Sequence, residues 1–324
     1  MLCRFAKPVV VPVLAFWLIA GLSAAQRPIG TSTAVSAQPI RIDAVSVPLN
    51  PGDPSVAALG DFVYAGGLWL TSRQTDRFRE LSDIVVTGQD RFTAVGDGGV
   101  LFSARLVFDA AQRLIGVADT TLAPLIGEDG KPLSGARADA EGLAILGNGD
   151  RLVSFERDHR IWLYPTAGGM PRAVPSPAAN FPSNFGMEAI AANPGVGPDA
   201  YSVGGEMSGK TWACRLTLPC VEGRTLEKPG EFGLVAMNHL GEDTEVYLLR
   251  AYDPFRGNRI MLQIFRSTTV VAQMDLAPPL TVDNFEGLAS VPSPTGGIRF
   301  YLMSDDNGSS SQRTLLLAFD WRRK

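Results

Sequence analysis

Four acidic residues recur in one local setting along this sequence, each at the start of a short apolar run. The runs are Leu81-Ser-Asp-Ile, Ala140-Glu-Gly-Leu-Ala, Met187-Glu-Ala-Ile-Ala and Phe285-Glu-Gly-Leu-Ala, which place the acids at Asp83, Glu141, Glu188 and Glu286. A degenerate copy, Leu234-Val-Ala-Met, falls in the longest interval between them. Carboxylates are ligands for hard cations such as Ca²⁺ and can act as general bases. The repeat therefore predicts an acidic site, provided that the fold brings its copies together.

A second acid follows each of the four after one further strand-like segment. These second acids are Asp97, Glu156, Glu206 and Asp305. Two strands of about five residues joined by a short turn would return the second acid to the end where the first one stands. In the degenerate copy Arg250 occupies the place of the second acid. The sequence thus predicts a ring of acid pairs at one rim, interrupted by one cation.

Such a ring would suit Ca²⁺, which takes six to eight oxygen ligands from carboxylates, carbonyls and water. Without cations or arginines between them, so many carboxylates would repel one another. The alternative is that the acids end strands and accept hydrogen bonds from backbone N–H groups in the turns. Arg250 could bind a phosphate or carboxylate group in a bidentate manner, or form an ion pair with a glutamate of a neighbouring repeat.

The segments that carry these residues are predicted to be short strands separated by turns. The chain has 34 glycines and 23 prolines among its 324 residues, which is typical of a loop-rich all-β protein. No segment keeps a period near 3.6 over three turns, so few helices are expected. A repeat of about 40–50 residues made of short strands indicates propeller blades. We therefore predict an all-β fold with a single β-propeller, with six blades expected and five as the alternative. N- and C-terminal strands would close one blade, which removes exposed strand edges.

The N-terminus has the layout of a secretory signal. Arg4 and Lys7 precede an apolar run over residues 9–22, and small residues follow it. We predict a signal peptide over residues 1–25 that is cleaved after Ala25, a flexible leader over 26–41 and the propeller domain over 42–324. An uncleaved membrane anchor is the alternative. Cleavage would give a periplasmic or secreted protein without stable membrane insertion.

Charge and cysteine content agree with export. The formal net charge is −4, and removal of the first 25 residues takes away two positive charges and no negative one. A mildly acidic exported protein is poorly suited to nucleic acid, so no nucleic-acid partner is expected. Cys214 and Cys220 have five residues between them. They could form a disulfide in an oxidising compartment, or they could be two separate thiols that flank a turn.

Other hydrolytic chemistries have little support in the sequence. A Gly-x-Ser-x-Gly nucleophile motif is absent, and the two histidines, His159 and His239, occupy no consistent motif position. Both are expected to be surface or core residues. Zinc is disfavoured because clusters of histidine and cysteine are lacking.

At these residues the sequence resembles a bacterial family of phytase-like β-propellers, described as having the esterase-like activity of phytase. The similarity runs from about Leu59 to Trp321, and its most specific stretches are residues 282–289, 304–307 and 312–319, with further matches at 138–144, 153–157 and 184–190. The resemblance implies Ca²⁺-dependent phosphoester hydrolysis, by analogy with propeller phytases that hold Ca²⁺ and water near the channel mouth. One departure is Arg79-Glu-Leu-Ser-Asp83, where a Gly-Gly-Leu-Ser-Gly type of run is usual. Asp83 is therefore left outside the predicted ligand set.

The predicted function is that of a secreted, Ca²⁺-assisted hydrolase of phosphate or carboxylic esters, acting at an acid-lined propeller mouth. The predicted metal ligands are Glu141, Glu156, Glu188, Glu206, Glu286 and Asp305. The predicted catalytic residues are Glu141, Glu188, Glu286 and Arg250, with the arginine as the anchor for an anion. The alternatives are a non-catalytic envelope propeller that binds a small anionic or polar ligand, and a purely structural propeller. The expected partner is a small anionic or ester substrate, and the protein is expected to be a monomer.

Overall fold

The computed structural model describes residues 1–2, 36–241 and 243–322. Most of the predicted signal peptide and most of the predicted leader therefore lie outside the described residues. The last residues of that leader include Gln38–Pro39, which pair with an outer strand of the propeller domain. Within the described part of the chain, no helix has the length and apolarity needed to cross a membrane.

Short antiparallel strands make up the described chain. In chain order the first ones are β1 (Gln38–Pro39), β2 (Asp43–Ser46), β3 (Ala58–Leu59), β4 (Phe62–Thr71), β5 (Leu81–Thr87), β6 (Arg91–Gly96), β7 (Val100–Phe108), β8 (Leu114–Pro124), β9 (Ala140–Ile145), β10 (Arg151–Phe155), β11 (Arg160–Tyr164) and β12 (Arg172–Val174). The others are β13 (Ala189–Ala192), β14 (Ala200–Gly204), β15 (Lys210–Arg215), β16 (Leu218–Thr225), β17 (Gly233–His239), β18 (Thr244–Asp253), β19 (Gly257–Arg266), β20 (Thr269–Leu276), β21 (Asn284–Pro292), β22 (Ile298–Asp305) and β23 (Leu315–Trp321). One turn of 3-10 helix, Gly135–Arg137, is the helical element among the described residues. The expected scarcity of helices is confirmed.

The strands form five sheets, each of which is one blade. Blade 1 consists of β5–β8 with β1 at its outer edge, blade 2 of β9–β12, blade 3 of β13–β16 and blade 4 of β17–β20. Blade 5 runs from the centre outward as β21, β22, β23, β4 and β2, and β3 pairs with β4. The innermost strands β5, β9, β13, β17 and β21 each lie beside the next, and β21 lies beside β5, so the ring is closed. The all-β propeller is confirmed.

The blade count is the alternative of five rather than the expected six. In a six-bladed propeller, the strands before Thr71 would complete a further blade with the C-terminus. Instead β4 pairs with β23, so the N-terminal strands widen the blade that already contains Glu286. Without β4, the backbone groups along one side of β23 would have no partner strand. The prediction that the two ends of the chain close one blade is confirmed.

The core lies between neighbouring blades. Five buried apolar clusters fill the five blade interfaces. In the interface of blades 1 and 5, for example, Phe92 and Phe102 pack in one cluster with Tyr301 and Met303. The alternation of buried and less buried residues along β7 follows the two-residue period of a strand. Each blade is therefore held by its neighbours on both faces.

Close contacts at the centre explain the glycine that follows the acid in two of the repeats. A Cβ on Gly142 would lie 2.4 Å from the carbonyl oxygen of Glu188, and one on Gly287 would lie 3.0 Å from the Cα of Asp83. Any larger residue would push adjacent inner strands apart. The Glu-Gly-Leu-Ala motif thus combines a polar residue at the rim with a close approach of two blades.

Candidate metal and substrate site

The hairpins return both acids of a pair to one end of the propeller, as predicted. The first residue of each inner strand pairs with a residue at the end of the second strand: Ala140 with Phe155, Ala189 with Gly204, and Asn284 with Asp305. Glu141, Glu188 and Glu286 stand within two residues of the start of their inner strands. The inner strands enclose the propeller axis, so these acids and their partners form one acidic rim.

Most of the predicted ligands are buried at this rim. The five buried members are Glu156, Glu188, Glu206, Glu286 and Asp305. Glu141 is half-buried. Burial raises the pKa of the Glu141 carboxyl well above its usual range, and the nearby charges of Asp97 and Glu188 raise it further. The rim is thus a place where a negative charge is costly unless a cation faces it.

The tightest oxygen cluster of the rim joins blades 1 and 2. One carboxylate oxygen each from Asp97, Asp139 and Glu141 lies within 4.8 Å of the other two. Because Ca²⁺ binds oxygen at 2.3–2.6 Å, opposite ligands of one ion stand about 5 Å apart. A single cation could therefore contact all three carboxylates. Of these three, Glu141 alone was in the predicted ligand set.

Asp97 and Asp139 have partners that hold them in place. Ser82 donates a hydrogen bond to Asp97, and the Arg157 guanidinium lies 2.8 Å from Asp139. Burial raises the pKa of Asp97 to about 8, and the charges of Glu286 and Asp139 also contribute. Asp139 stands two positions before Glu141 in Ala138-Asp-Ala-Glu-Gly-Leu-Ala, but the other copies of the repeat have no acid at that position.

A second acidic group lies between blades 2 and 3. Glu156, Glu188 and Glu206 each have one buried side-chain oxygen without a hydrogen-bond partner among the described residues. Burial, together with Asp139 and Glu206, raises the pKa of Glu156 to about 7. Burial also raises the pKa of Glu188. Buried oxygens without partners are rare in folded proteins, and a bound cation would satisfy them.

Arg250 forms ion pairs with the glutamates of two neighbouring blades. Its guanidinium nitrogens lie 2.8 Å from Glu286 and 3.3 Å from Glu206, and it also donates to Asn284. Burial lowers the pKa of Arg250, but the surrounding carboxylates more than offset this effect, so the net shift is upward. Of the two hypotheses for Arg250, this geometry matches the ion pair with neighbouring glutamates.

Glu286 and Asp305 form a carboxyl pair on blade 5. They lie within hydrogen-bond reach of each other. Burial raises the pKa of Asp305 well above its usual range, and the charge of Glu286 adds to the effect. Two carboxyl groups this close share a proton when no cation separates them.

Asp83 has a structural role at the centre of the ring. Its carboxylate accepts hydrogen bonds from the backbone N–H groups of Ile84, Leu143 and Leu288, which belong to blades 1, 2 and 5. Burial raises its pKa well above the usual range, against the effect of these three hydrogen bonds. Its exclusion from the ligand set agrees with this geometry.

The donor chemistry of the rim fits Ca²⁺. Every candidate ligand is a carboxylate, the cluster of Asp97, Asp139 and Glu141 has the span of one ion, and three further carboxylates present buried oxygens without partners. Ca²⁺ sites provide hard oxygen ligands whose negative charge exceeds the positive charge of nearby side chains. The residues that would hold the ion are first Asp97, Asp139 and Glu141, with Glu156, Glu188 and Glu206 beside them.

A cleft of about 570 Å³ opens beside the cluster of Asp97, Asp139 and Glu141. Its lining includes Asp97 and Asp139 from that cluster, together with Arg77, Arg157 and Ser134. Two arginines next to an acidic cation site provide opposite charges at short range. This combination suits a ligand with an anionic group that also contacts the metal.

A serine, a histidine and a glutamate also meet between blades 3 and 4. The His239 ring lies 2.9 Å from the hydroxyl of Ser202, but its other nitrogen lies 3.9 Å from Glu245. That second distance is too long for a hydrogen bond. Ser202 is only 7% exposed and stands in the middle of β14. We interpret this group as interface packing, and burial lowers the pKa of His239.

The fold and site define a closed five-bladed β-propeller with a carboxylate-rich mouth. Residues 76–308, more than two thirds of the chain, match the Phytase-like family, described as esterase-like activity of phytase. The chain belongs to this family. Among curated proteins, none matches the sequence significantly.

Several solved structures resemble the fold at low sequence identity. The major allergen Mala s 1 of Malassezia sympodialis is 13% identical, with a TM-score of 0.45 and coverage of 86% of this chain and 96% of that chain. U3-55K is 9% identical, with a TM-score of 0.40 and coverage of 81% and 98%. The WD40 repeats of RRP9 are 9% identical, with a TM-score of 0.38 and coverage of 87% of both chains.

Proposed function

We propose that this protein is a Ca²⁺-assisted hydrolase of phosphate or carboxylic esters that acts at the acidic rim. The observation that carries the proposal is the cluster of Asp97, Asp139 and Glu141 beside a cleft that also contains Arg77 and Arg157. Membership of the Phytase-like family supports hydrolysis in general. The choice of Ca²⁺ and of the ester class rests on the donor chemistry and on the charges in the cleft.

The residues of the rim would divide the work between binding and proton transfer. Bound Ca²⁺ supplies polarisation of the ester and lowers the pKa of a water molecule. Arg157 and Arg77 would orient the anionic group of the substrate. Glu156 has a buried carboxylate oxygen without a hydrogen-bond partner among the described residues, so we assign it as the general base that would accept a proton from the attacking water. Arg250 would keep Glu206 and Glu286 in position, which replaces the earlier expectation that it anchors the anion.

Export forms part of the proposal. The signal-like N-terminus and the disulfide between Cys214 and Cys220, whose Cα atoms are 4.2 Å apart, both suit an oxidising periplasmic or extracellular location. We further propose that the mature protein is a monomer. Fractionation of cells that express the full chain, followed by N-terminal sequencing, tests export and cleavage. Light scattering of the purified product tests whether it is a monomer. Retention in the cytoplasm with residues 1–25 intact would contradict export.

The activity test is a panel of phosphomonoesters, phosphodiesters and short acyl esters, assayed with chelator and after addition of Ca²⁺. We expect hydrolysis that the chelator abolishes and Ca²⁺ restores. Glu141→Gln should lower kcat/KM by about 100-fold, the range seen for loss of one group that stabilises charge. Asp275→Asn is the matched control, since Asp275 is an exposed acid on the outermost strand of blade 4. Silence across the panel, with Ca²⁺ still raising Tm, would favour the non-catalytic ligand-binding alternative.

A further inference from the structure

A second cleft of about 580 Å³ opens at the same rim, on the blade 3 side. Its walls carry three aromatic rings and a methionine: Phe181, Phe185, Trp212 and Met207. Glu206 lines this cleft and belongs to the acidic rim. A group held here would therefore lie beside Glu206, which is close enough to the proposed base, Glu156, for its charge to affect the pKa of Glu156.

The aromatic wall is held in place rather than loosely exposed. The ring of Phe181 packs edge-to-face on Trp212 with centroids 5.8 Å apart. The ring of Phe181 also contacts the ring of His159, with centroids 5.5 Å apart. His159 is itself fixed, because one ring nitrogen lies 3.0 Å from the carbonyl oxygen of Pro182. The wall is thus formed before any ligand arrives, which lowers the entropy cost of binding.

The side of the cleft that faces solvent is apolar. Phe185 is 42% exposed and Met207 is 50% exposed, although both are large hydrophobic residues. Lys210 and Glu222, which also line the cleft, form an ion pair in which the Lys210 Nζ lies 3.0 Å from the Glu222 Oε1, so their charges cancel. In contrast, the first cleft contains the arginines Arg77 and Arg157. The second cleft therefore suits an uncharged apolar group.

We propose that this aromatic cleft binds an aromatic ring of the substrate, so that the preferred substrates are aryl esters. Ring edges and faces favour another ring in an offset or edge-to-face arrangement, and methionine sulfur makes favourable contacts with aromatic rings. A flexible alkyl chain would gain the apolar contact but neither of these effects. The preference for aryl esters as substrates rests on the proposed function. The binding of an aromatic ring in this cleft does not depend on it.

Equilibrium binding of non-hydrolysable probes tests ring binding separately from ester hydrolysis. With the Ca²⁺-loaded mature protein, we compare phenylphosphonate, cyclohexylphosphonate and methylphosphonate by calorimetry. Phenylphosphonate should bind about tenfold more tightly than methylphosphonate, and about threefold more tightly than cyclohexylphosphonate, as expected for a buried ring with specific aromatic contacts. Phe185→Ser should remove most of the preference for phenylphosphonate over methylphosphonate, and it should leave the affinity for methylphosphonate unchanged. Phe255→Ser is the matched control, because Phe255 is 99% exposed on the β18–β19 turn.

The outcomes are distinguishable from failure of the proposed function. Preference for the phenyl probe without hydrolysis of any ester would support the aromatic site and contradict the enzyme. Hydrolysis of esters with equal binding of phenyl and methyl probes would contradict the aromatic site alone. Equal binding of phenyl and cyclohexyl probes, no binding of any probe, or equal effects of Phe185→Ser and Phe255→Ser would also overturn it.

Discussion

The carboxylates of the rim outnumber the cations that face them. Among the described residues of the rim, Arg250 neutralises Glu206 and Glu286, and Arg157 neutralises Asp139. Burial nevertheless raises the pKa of seven acids of the rim, which are Asp97, Asp139, Glu141, Glu156, Glu188, Glu286 and Asp305. A buried carboxylate without a counter-charge is expensive, so it either binds a proton or faces a cation. Protons and Ca²⁺ therefore compete for the same oxygens.

This competition predicts how stability depends on pH. Burial raises the pKa of Glu156 to about 7 and of Asp97 to about 8, from ordinary values near 4.5 and 3.8. Between the ordinary and the raised pKa values, the metal-free folded state binds more protons than the unfolded state. Its stability therefore falls as pH rises through this range. In chelator, we expect Tm to fall by roughly 5 °C from about pH 5 to about pH 8. Calorimetric scans measure this, and excess Ca²⁺ should remove most of the fall. A Tm that rises over this range in chelator would contradict the raised pKa values.

Arg250 offers a second test at this scale. Arg250→Met removes the cation and leaves Glu206 and Glu286 unpaired, which should cost about 3 kcal/mol in the metal-free protein. The double variant with Glu286→Gln should recover part of that loss, because one of the unpaired charges is gone. Urea unfolding in chelator measures both. Equal stability of the wild type and Arg250→Met would show that the ion pairs contribute nothing.

The sequence predicted individual acids of the rim better than it predicted which acids would lie together. The repeat identified Glu141, Glu188 and Glu286 at one rim, because an acid at the same place in each repeat falls at the same place in each blade. It did not identify Asp139, since this residue stands before its strand and has no counterpart in the other copies of the repeat. Its role depends on Asp97 of the preceding blade, and such contacts between blades leave no mark within one repeat.

At the scale of elements, the two-stranded hairpin is the unit that builds the site. Its register determines that the acid after the second strand returns to the rim where the first acid stands. Turn residues such as Asn148-Gly149 made these hairpins visible in the sequence. The outer strands did not reveal which blade they would join. The pairing of β4 with β23 depends on ring closure over the whole chain.

The β15–β16 hairpin carries the disulfide, and it tests whether the outer strands matter for the site. Cys214 stands near the end of β15 that pairs with Ala200, opposite to the acidic rim. Replacing Cys214 and Cys220 by alanine should cost about 2 kcal/mol, as expected for a short closed loop. Ca²⁺ affinity should stay within about twofold, because sites this far apart are independent. Urea unfolding and calcium titration of the double variant check the two statements. A loss of Ca²⁺ binding would mean that the outer edge of blade 3 positions the rim.

At the scale of the whole molecule, Asp83 joins blades 1, 2 and 5 through three backbone N–H groups. Asp83→Ala would leave three buried donors without partners, at about 1–3 kcal/mol each, so we expect a loss of at least about 4 kcal/mol or a failure to fold. Asp83→Asn keeps one acceptor oxygen and the shape, and should cost less. The free energy of unfolding in urea distinguishes them. Asp83→Ala with wild-type stability would show that blade packing alone closes the ring.

The closed ring explains why the fold was more predictable than the site. Repeat spacing and strand patterns are local features, and they sufficed for an all-β propeller with its ends joined in one blade. The exact number of blades depended on whether residues 36–71 formed their own sheet or widened another. In the structure β4 pairs with the outer edge of β23, so the N-terminal strands widen blade 5.

Direct measurement of Ca²⁺ binding shows whether the rim is a calcium site. Calorimetric titration of the metal-free mature protein should show saturable Ca²⁺ binding that releases protons at neutral pH, because ions displace protons from carboxyl groups of raised pKa. Asp139→Asn should weaken the tightest site by at least about tenfold, whereas Asp275→Asn should leave it unchanged. Absence of saturable Ca²⁺ binding, or equal affinity in the wild type and Asp139→Asn, would contradict the assignment of the rim as a calcium site.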